Sequence, residues 1–371
     1  MNLSDIKKSN YKLVYKLIYH NTNISKPELA SALKISIPTV TQCVNELIAN
    51  GLARENGFSA PHVGRKASII SCCERFKVAV GVEIREHYVH LAAIDLYGTI
   101  FSQKDQSIEF EHSDYYCAVL GNIINNFIIE SSITAASLLG IAFSVHGLVD
   151  FQEQKIFFGK ILHADGFGIR DLEKYLAFPC SMYHDSEAAA QYDAWCSNIT
   201  KDLFYIILNP FLGGAVLIGG ELHQGTSLAS GLVEHMVLIP NGKPCYCGKK
   251  GCVNSYCSTN TLLDNDVQDL KTFFEKMRGG DNTLILRWNE YLSNLALTIS
   301  NCLAFLNIDV MLSGALVSWF TEDDLALLSS MVQANSPEPT RGIPDISISR
   351  HYDSAAGAAL NYIRQFLKEF D

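Results

Sequence analysis

One histidine and three cysteines in this chain are spaced to hold a metal. Between His235 and Cys252 the sequence places Cys245, Cys247 and Cys252 in a Cys-x-Cys-x4-Cys pattern, with Gly248 and Gly251 as the turns between them. Three thiolates so spaced can wrap one centre, and His235, returning from a preceding strand, can fill the fourth corner. Four N/S ligands with no open position describe a closed, tetrahedral, structural zinc site rather than a catalytic one. The alternative is a set of ordinary buried cysteines, but packing alone explains glycine-spaced clustering poorly. Cys257 lies close enough to compete as a ligand, although the spacing favours the other three. Cys72, Cys73 and Cys302 read as inert apolar filler. A metal here would stiffen a segment expected to border a cleft.

The elements that must carry this cluster differ along the chain. Residues 1–75 hold ten Lys/Arg against five Asp/Glu, leaving 19 against 34 for the rest of a chain whose net charge is −10. A mildly basic block on an acidic body suggests one part that meets a polyanion, although a solvated surface has the same composition. Leu13, Val14, Leu17 and Ile18 fall on one helical face. Ser25-Lys-Pro-Glu28 is a capping box with proline in the first turn, predicting a short helix over Pro27–Leu33 that buries Leu29 and Leu33. Ser36-Ile-Pro-Thr39 starts a third helix with Ile37, Val40, Val44, Leu47 and Ile48 inward, stopped by Gly51.

Two short helices joined by a tight turn fit a helix-turn-helix whose second helix enters the major groove of double-stranded operator DNA. Pro38, Thr39, Thr41, Gln42 and Asn45 are its candidate DNA-contacting residues; Gln42 can pair with an adenine edge, and the threonines can meet phosphates or thymine methyls. The segments at 52–55 and 67–70 alternate like a wing hairpin. Arg65 and Lys66 between them can reach the backbone or minor groove. A three-helix interaction module without DNA affinity is the plainer reading; the charge asymmetry favours DNA.

From about residue 77 the pattern changes to strands alternating with helices. Runs at 77–84, 88–95 and 99–102, a helix near 114–131 and a strand at 138–144 predict a β-β-β-α-β unit. A comparable alternation resumes at 203–209 and 214–223, so a two-lobed α/β body with a cleft between its halves is expected. At 371 residues and 48% hydrophobic content, two or three domains with sizeable cores are expected. The first residues lack an apolar export run and no stretch of about 18 apolar residues appears, so the reading is cytoplasmic, without a membrane span and with reduced thiols.

With the histidine–cysteine motif, the winged-helix pattern and the paired lobes together, the chain resembles the repressor–ORF–kinase (ROK) family over essentially its whole length. The resemblance implies a two-lobed actin-like, ribonuclease H-like ATPase body behind an N-terminal winged helix-turn-helix, with sugar held between lobes near the zinc. It implies domains at 1–75, 76–183 completed by a C-terminal helix over 352–371, and 184–351. Kinase members carry an Asp-x-Gly-x-Thr phosphate loop, matched here by Glu83, Arg85 and His87; Arg85 puts a large side chain where glycine lets the backbone approach phosphate. A second loop, Gly-Thr-Gly, is matched by Asn209, Pro210 and Phe211, and a third is half kept as Ser313-Gly314. The kinase base is matched by Asp185, preceded by His184 in place of asparagine. Asp185 could equally cap the helix that follows. The family's Gly-Glu-x-Gly-His becomes Gly231-Leu232-Val233-Glu234-His235, and a further sugar-contacting glutamate becomes Asn254. His184, Asp185, Glu234, His235 and Asn254 are therefore the ligand candidates, with His146 and the His163–Gly166 loop less secure. The resemblance implies a homodimeric (or dimer-of-dimers) sugar-responsive regulator, probed against two alternatives: a sugar kinase with an added DNA reader, and a regulator answering to a partner protein.

Overall fold

The computed structural model describes residues 3–21, 23–58, 68–336 and 342–371. Its front end is a winged helix: α1 (Leu3–His20), β1 (Ile24–Ser25), α2 (Lys26–Leu33), α3 (Ile37–Ala49), β2 (Ala53–Phe58) and β3 (Ser68–Cys72). Its strands pair in the order β1-β3-β2. The capping box forms as expected, with Ser25 Oγ accepting the Glu28 amide and the Glu28 carboxylate accepting the Ser25 amide. Lys34 then turns the chain in the left-handed region (φ 54°), and Ser36 caps α3 through the Thr39 amide. Leu13 and Ile37, expected to face inward, are instead 46% and 53% exposed. Val14, Ile18, Val40 and Val44 supply the buried stripe; helical spacing admits a residue at the edge of a stripe without deciding its side.

Two five-stranded sheets form the body. The first half of the chain supplies β4 (Val78–Ile84), β5 (Tyr88–Ile94), β6 (Ile100–Ser107), α4 (Asp114–Glu130) and β7 (Leu138–Val145). A hairpin of β8 (Leu148–Asp150) and β9 (Lys155–Phe158), then α5 (Ile169–Leu172) and β10 (Cys180–His184), complete it. Strand order is β10-β7-β4-β5-β6, so the β-β-β-α-β expectation holds. After α6 (Asp185–Cys196), the second sheet gathers β11 (Leu203–Ile207), β12 (Gly213–Ile218) and β13 (Glu221–Leu222). The chain continues through α7 (Asn254–Cys257), α8 (Leu270–Arg278), α9 (Asn282–Phe305), β14 (Asp309–Ser313), α10 (Glu322–Ala334) and β15 (Ile346–Ile348). This sheet runs β13-β12-β11-β14-β15. The last helix, α11 (Ser354–Lys368), returns to the first sheet and contacts β4, β5, β7 and α6.

β4 is buried along its whole length because it is covered on both faces. Val78, Val80 and Val82 join the apolar cluster of Leu120 and Phe127 on α4, while Ala79 joins that of Ala355 and Ala359 on α11. On the α11 side only small residues fit: a Cβ at Gly81 would sit 1.8 Å from the Ala355 carbonyl oxygen, and one at Gly357 would sit 2.0 Å from that of Ala188 on α6. The winged helix is seated on this same layer. Val14, Ile18 and Leu47 share one core with Ala92, Leu360 and Ile363. Tyr19 stacks on Tyr97 (4.8 Å between centroids) and donates its hydroxyl to the Leu96 carbonyl at 2.8 Å, while Tyr15 lies 4.2 Å from Phe370. Among the described residues, no helix is long and apolar enough to cross a membrane.

His90 on β5 fastens the start of α11. It bonds Asp105 through Nδ1 (2.7 Å) and Asp353, the α11 N-cap, through Nε2 (3.3 Å). The Asp353 hydrogen bond, with Asp105 behind it, overcomes burial and raises the imidazole from an ordinary 6.5 to about 9. A raised value means the protonated form is favoured by folding, so the stabilisation is complete below 6.5 and lost as pH climbs through about 9. Over that interval wild type should lose on the order of 1–2 kcal/mol of unfolding free energy that an H90Q variant does not, after allowing for the exposed Asp105. Urea titrations at stepped pH measure this, and parallel profiles for the two proteins would remove the clamp.

Candidate functional site

The expected metal ligands converge. The ligand atoms of His235, Cys245, Cys247 and Cys252 all lie within 4.8 Å of one another. Cys247 Sγ stands 3.8 Å from Cys252 Sγ, and Cys245 Sγ stands 3.9 Å from His235 Nδ1. Metal–sulfur bonds of about 2.3 Å at tetrahedral angles put sulfurs about 3.8 Å apart, so the donor set fits a four-coordinate ion. The wrap is made by backbone: the Gly248 amide reaches the Cys245 carbonyl (2.9 Å), and the Gly251 amide that of Lys243 (2.8 Å). Gly251 is obligatory, because a Cβ there would lie 1.8 Å from the Ile239 carbonyl oxygen. Burial pushes His235 down to about 4, leaving it neutral as a ligand must be. With Nδ1 facing the sulfurs, Nε2 is held by the Tyr246 hydroxyl at 3.3 Å. Cys257 is elsewhere, buried against Thr298 Oγ1 at 3.8 Å.

Beside this cluster the lobes enclose a cavity of about 360 Å³. His146, His184, Ser186, Glu234 and Tyr246 line it together with Leu148, Phe158, Ile161, Leu212 and Leu232. Glu234 is only 4% exposed, and its Oε2 has no partner among the described residues. Burial, reinforced by the charge of Asp185, pushes its carboxyl up to about 8. Two expected ligand contacts are not among the lining residues: Asn254, whose Oδ1 accepts the Leu212 amide (2.9 Å), and His163, which is exposed. Asp165 instead pins its loop by accepting the Gly159 amide at 2.6 Å.

Asp185 is buried at the cleft floor but is not the cap of α6. The N-cap is His184, and Asp185 occupies the first turn. Its Oδ1 accepts the Ser186 amide (2.8 Å) and faces His184 Nε2 (3.4 Å); its Oδ2 faces Arg85 Nη1 (3.5 Å) and His146 Nδ1 (3.8 Å). Burial pushes this carboxyl up, but His146, His184, Arg85 and the Ser186 amide together bring it below the ordinary carboxylate value. Burial pushes His146 down to about 4, so Arg85 is the standing positive charge beside Asp185. Arg85 also pairs with Glu83 and donates to the Tyr352 hydroxyl at 3.1 Å. That oxygen accepts from Asn209 Nδ2 (3.1 Å) as well, and Asn209 Oδ1 accepts the Ala315 amide (2.8 Å). The three loops that a nucleotide would need are thus bonded to one another. Sequence reading missed Tyr352, Phe158 and Tyr246; only the position of Tyr246 between two ligand cysteines offered a local signal.

On the winged helix, Pro38, Gln42 and Asn45 are exposed at spacings of four and three along α3, and Thr39 and Thr41 are half-buried beside them. Arg65 and Lys66 lie outside the described residues.

A two-lobed α/β body with a metal-ligating cluster at its cleft, fronted by a winged helix-turn-helix, is the class that fold and site define. Residues 79–360 match the ROK family, and residues 12–54 match the winged helix-turn-helix DNA-binding family. The chain belongs to the ROK family. It is 28% identical over 271 residues to the xylose repressor of Bacillus subtilis strain 168, covering 71% of this chain and 70% of that protein. It is 25% identical over 273 residues to the DNA-binding transcriptional dual regulator NagC of Escherichia coli K12, covering 72% and 67% respectively. In fold it is similar to a ROK family transcriptional regulator described as a homolog of the E. coli MLC protein (TM-score 0.76, 18% identity, 98% and 97% of the two chains). It is also similar to a ROK hexokinase from Thermus thermophilus (TM-score 0.65, 19% identity, 79% and 99%).

The donor set predicts one divalent metal per chain as isolated without chelator. A Cys247→Ser variant should lose that equivalent and melt several degrees lower, as metal analysis and thermal unfolding would register; an unchanged metal content would exclude the four-residue site.

Proposed function

We propose that this protein is a sugar-responsive transcriptional repressor of carbohydrate-metabolism genes. Its winged helix (1–75) binds operator DNA, while its two lobes (76–183 with 352–371, and 184–351) sense a small carbohydrate between them. The observation that carries the reading is Arg85 ion-paired with Asp185 at 3.5 Å on a chain that also bears a DNA-reading helix. A kinase base must be free to take a proton from a sugar hydroxyl. Here that carboxylate is paired with a guanidinium beside His146 and His184, and Arg85, Pro210 and Phe211 stand at the positions that match the kinases' phosphate loops. The reading is therefore of a protein without sugar-kinase activity, although kinases share the fold.

The metal is proposed to be zinc, held by His235, Cys245, Cys247 and Cys252. When bound it would supply no reaction chemistry; it would stiffen the segment carrying Glu234 and His235 beside the effector. His184, Asp185, Glu234 and His235 are proposed to shape the effector site, Asp185 and His235 as supports from within the protein. Pro38, Thr39, Thr41, Gln42 and Asn45 are proposed to face the major groove, with Arg65 and Lys66 on the backbone. The working form is proposed to be a cytoplasmic homodimer reading a two-fold operator, since paired readers one helical turn apart make affinity depend on their spacing. An effector changes operator affinity only through unequal affinity for two conformations of the dimer.

Anisotropy titrations with fragments upstream of the chain's own and neighbouring genes test this. Specific binding at about 10⁻⁸ M or tighter is expected, weakened by xylose, N-acetylglucosamine or a related sugar. Gln42→Ala should cost about 1–3 kcal/mol and relax specificity at one base pair. MgATP should neither shift the melting temperature nor be consumed with any sugar. ATP-dependent sugar phosphorylation, or indifference to every such fragment, overturns the proposal.

A further inference from the structure

The walls of the cleft say more about the effector than that it is a sugar. An unsubstituted sugar ring carries hydroxyls around its whole rim, and a buried hydroxyl without a partner costs about 1–3 kcal/mol. Of the hydrogen-bonding residues lining this cavity, His146 and His184 stand 3.8 and 3.4 Å from Asp185 and Ser186 is bonded to it, which makes one polar corner, and Glu234 lines the cavity with them. Glu234 Oε2 is buried and unpartnered there. The other walls include Leu148, Ile161, Leu212 and Leu232, which offer no hydrogen bond.

Aromatic rings run from one lobe to the other; Phe158, His235, Tyr246 and His146 line the cavity, and Phe211 joins the last two from outside the lining. Phe158 meets His235 edge-on (6.1 Å, 87°), and His235 meets Tyr246 (5.1 Å). Tyr246 meets Phe211 (5.4 Å, 83°), and Phe211 meets His146 (5.3 Å, 88°). Such a collar accepts another flat ring by stacking or edge contact. Charged recognition is poorly provided for. Of the two lining lysines, Lys160 is paired with Asp165 (2.9 Å) and Lys249 donates to the His235 carbonyl (3.3 Å); both are exposed at the rim.

Resting on the sugar-sensing reading, we infer that the effector is an aryl glycoside: a monosaccharide whose ring hydroxyls meet the His146–His184–Glu234 corner and whose aromatic aglycone lies against Leu232, Phe158 and the collar. Direct recognition of both parts would let the protein tell a glycoside from the sugar its hydrolysis releases.

Calorimetric titration of the full chain tests this with xylose, glucose and N-acetylglucosamine, each as methyl and as phenyl glycoside in both anomers, and with the 6-phosphates of the two hexoses. For at least one sugar the phenyl glycoside should bind ten-fold or more tightly than the methyl glycoside. A Leu232→Glu variant should reverse that preference by setting a carboxylate in the aglycone's place. Phe158→Ala, which adds no charge, should reduce it several-fold and serves if the first variant folds poorly. A methyl glycoside or a 6-phosphate binding as tightly as the phenyl glycoside overturns this inference alone. Silence from every carbohydrate overturns it together with the sugar-sensing reading.

Discussion

The whole arrangement depends on one crossing that admits no side chain. α11 passes so close over β4 and α6 that Gly81 and Gly357 must be glycine, and Ala188, Ala355 and Ala359 line the same contact. Because the backbones touch there, the beginnings of α6 and α11 arrive together at the cleft floor. Asp185 opens one helix; Ser354, whose hydroxyl reaches Glu83 at 2.5 Å, opens the other. The far ends arrive together under the winged helix, where Trp195 donates to the Tyr97 carbonyl (2.7 Å) and Phe370 meets Tyr15. Packed interiors of this density shift as bodies rather than deform. The cleft and the DNA-reading domain are therefore two ends of one rigid pair of helices.

At the cleft end, charge is balanced from within the protein. Two buried carboxylates, Glu83 and Asp185, would repel each other and pay heavily for desolvation without a cation between them. Arg85 is that cation. Its further bond to Tyr352, and through it to Asn209, carries the contact across to the second lobe. A planar guanidinium suits this better than lysine would, since its fork addresses several acceptors at fixed angles. The same side chain thus balances the carboxylates and ties the lobes.

Much of this was legible in the sequence where the physics is local. Ser25 and Glu28 cap within three residues of each other, the metal ligands from Cys245 to Cys252 are joined by glycine turns, and the β-β-β-α-β unit announces itself by period. What escaped is what only the fold brings together. Nothing near residue 352 marks Tyr352 as a partner of Arg85, 267 positions away in sequence. Asn254 sits where the resemblance places a ligand contact, yet its amide is spent on the Leu212 backbone, a choice made by the neighbouring loop. Leu13 and Ile37 obey helical spacing and still face solvent, because spacing defines a stripe and packing decides its width. The aromatic collar escaped for the same reason: its five rings stand at positions 146, 158, 211, 235 and 246.

The metal cluster and the helix crossing make complementary demands on a sensor. A cleft that signals must differ in affinity between two states, so its walls have to be defined in each. Between the end of β13 and the start of α7 the second lobe has one short 3-10 turn, Val233–His235, and otherwise irregular chain, although this stretch supplies Leu232, Glu234, His235 and Tyr246 to the cavity. Left to itself, a loop of that length would lose much of any binding energy to ordering. Three sulfurs and an imidazole, organised by Gly248 and Gly251, supply the order in advance. On the opposite wall the β8–β9 hairpin supplies Leu148 and Phe158 from paired backbone. Both walls are thus organised by their own chain, and Arg85, Tyr352 and Asn209 join the lobes beside the first turns of α6 and α11, the two helices whose far ends lie beneath the DNA-reading domain.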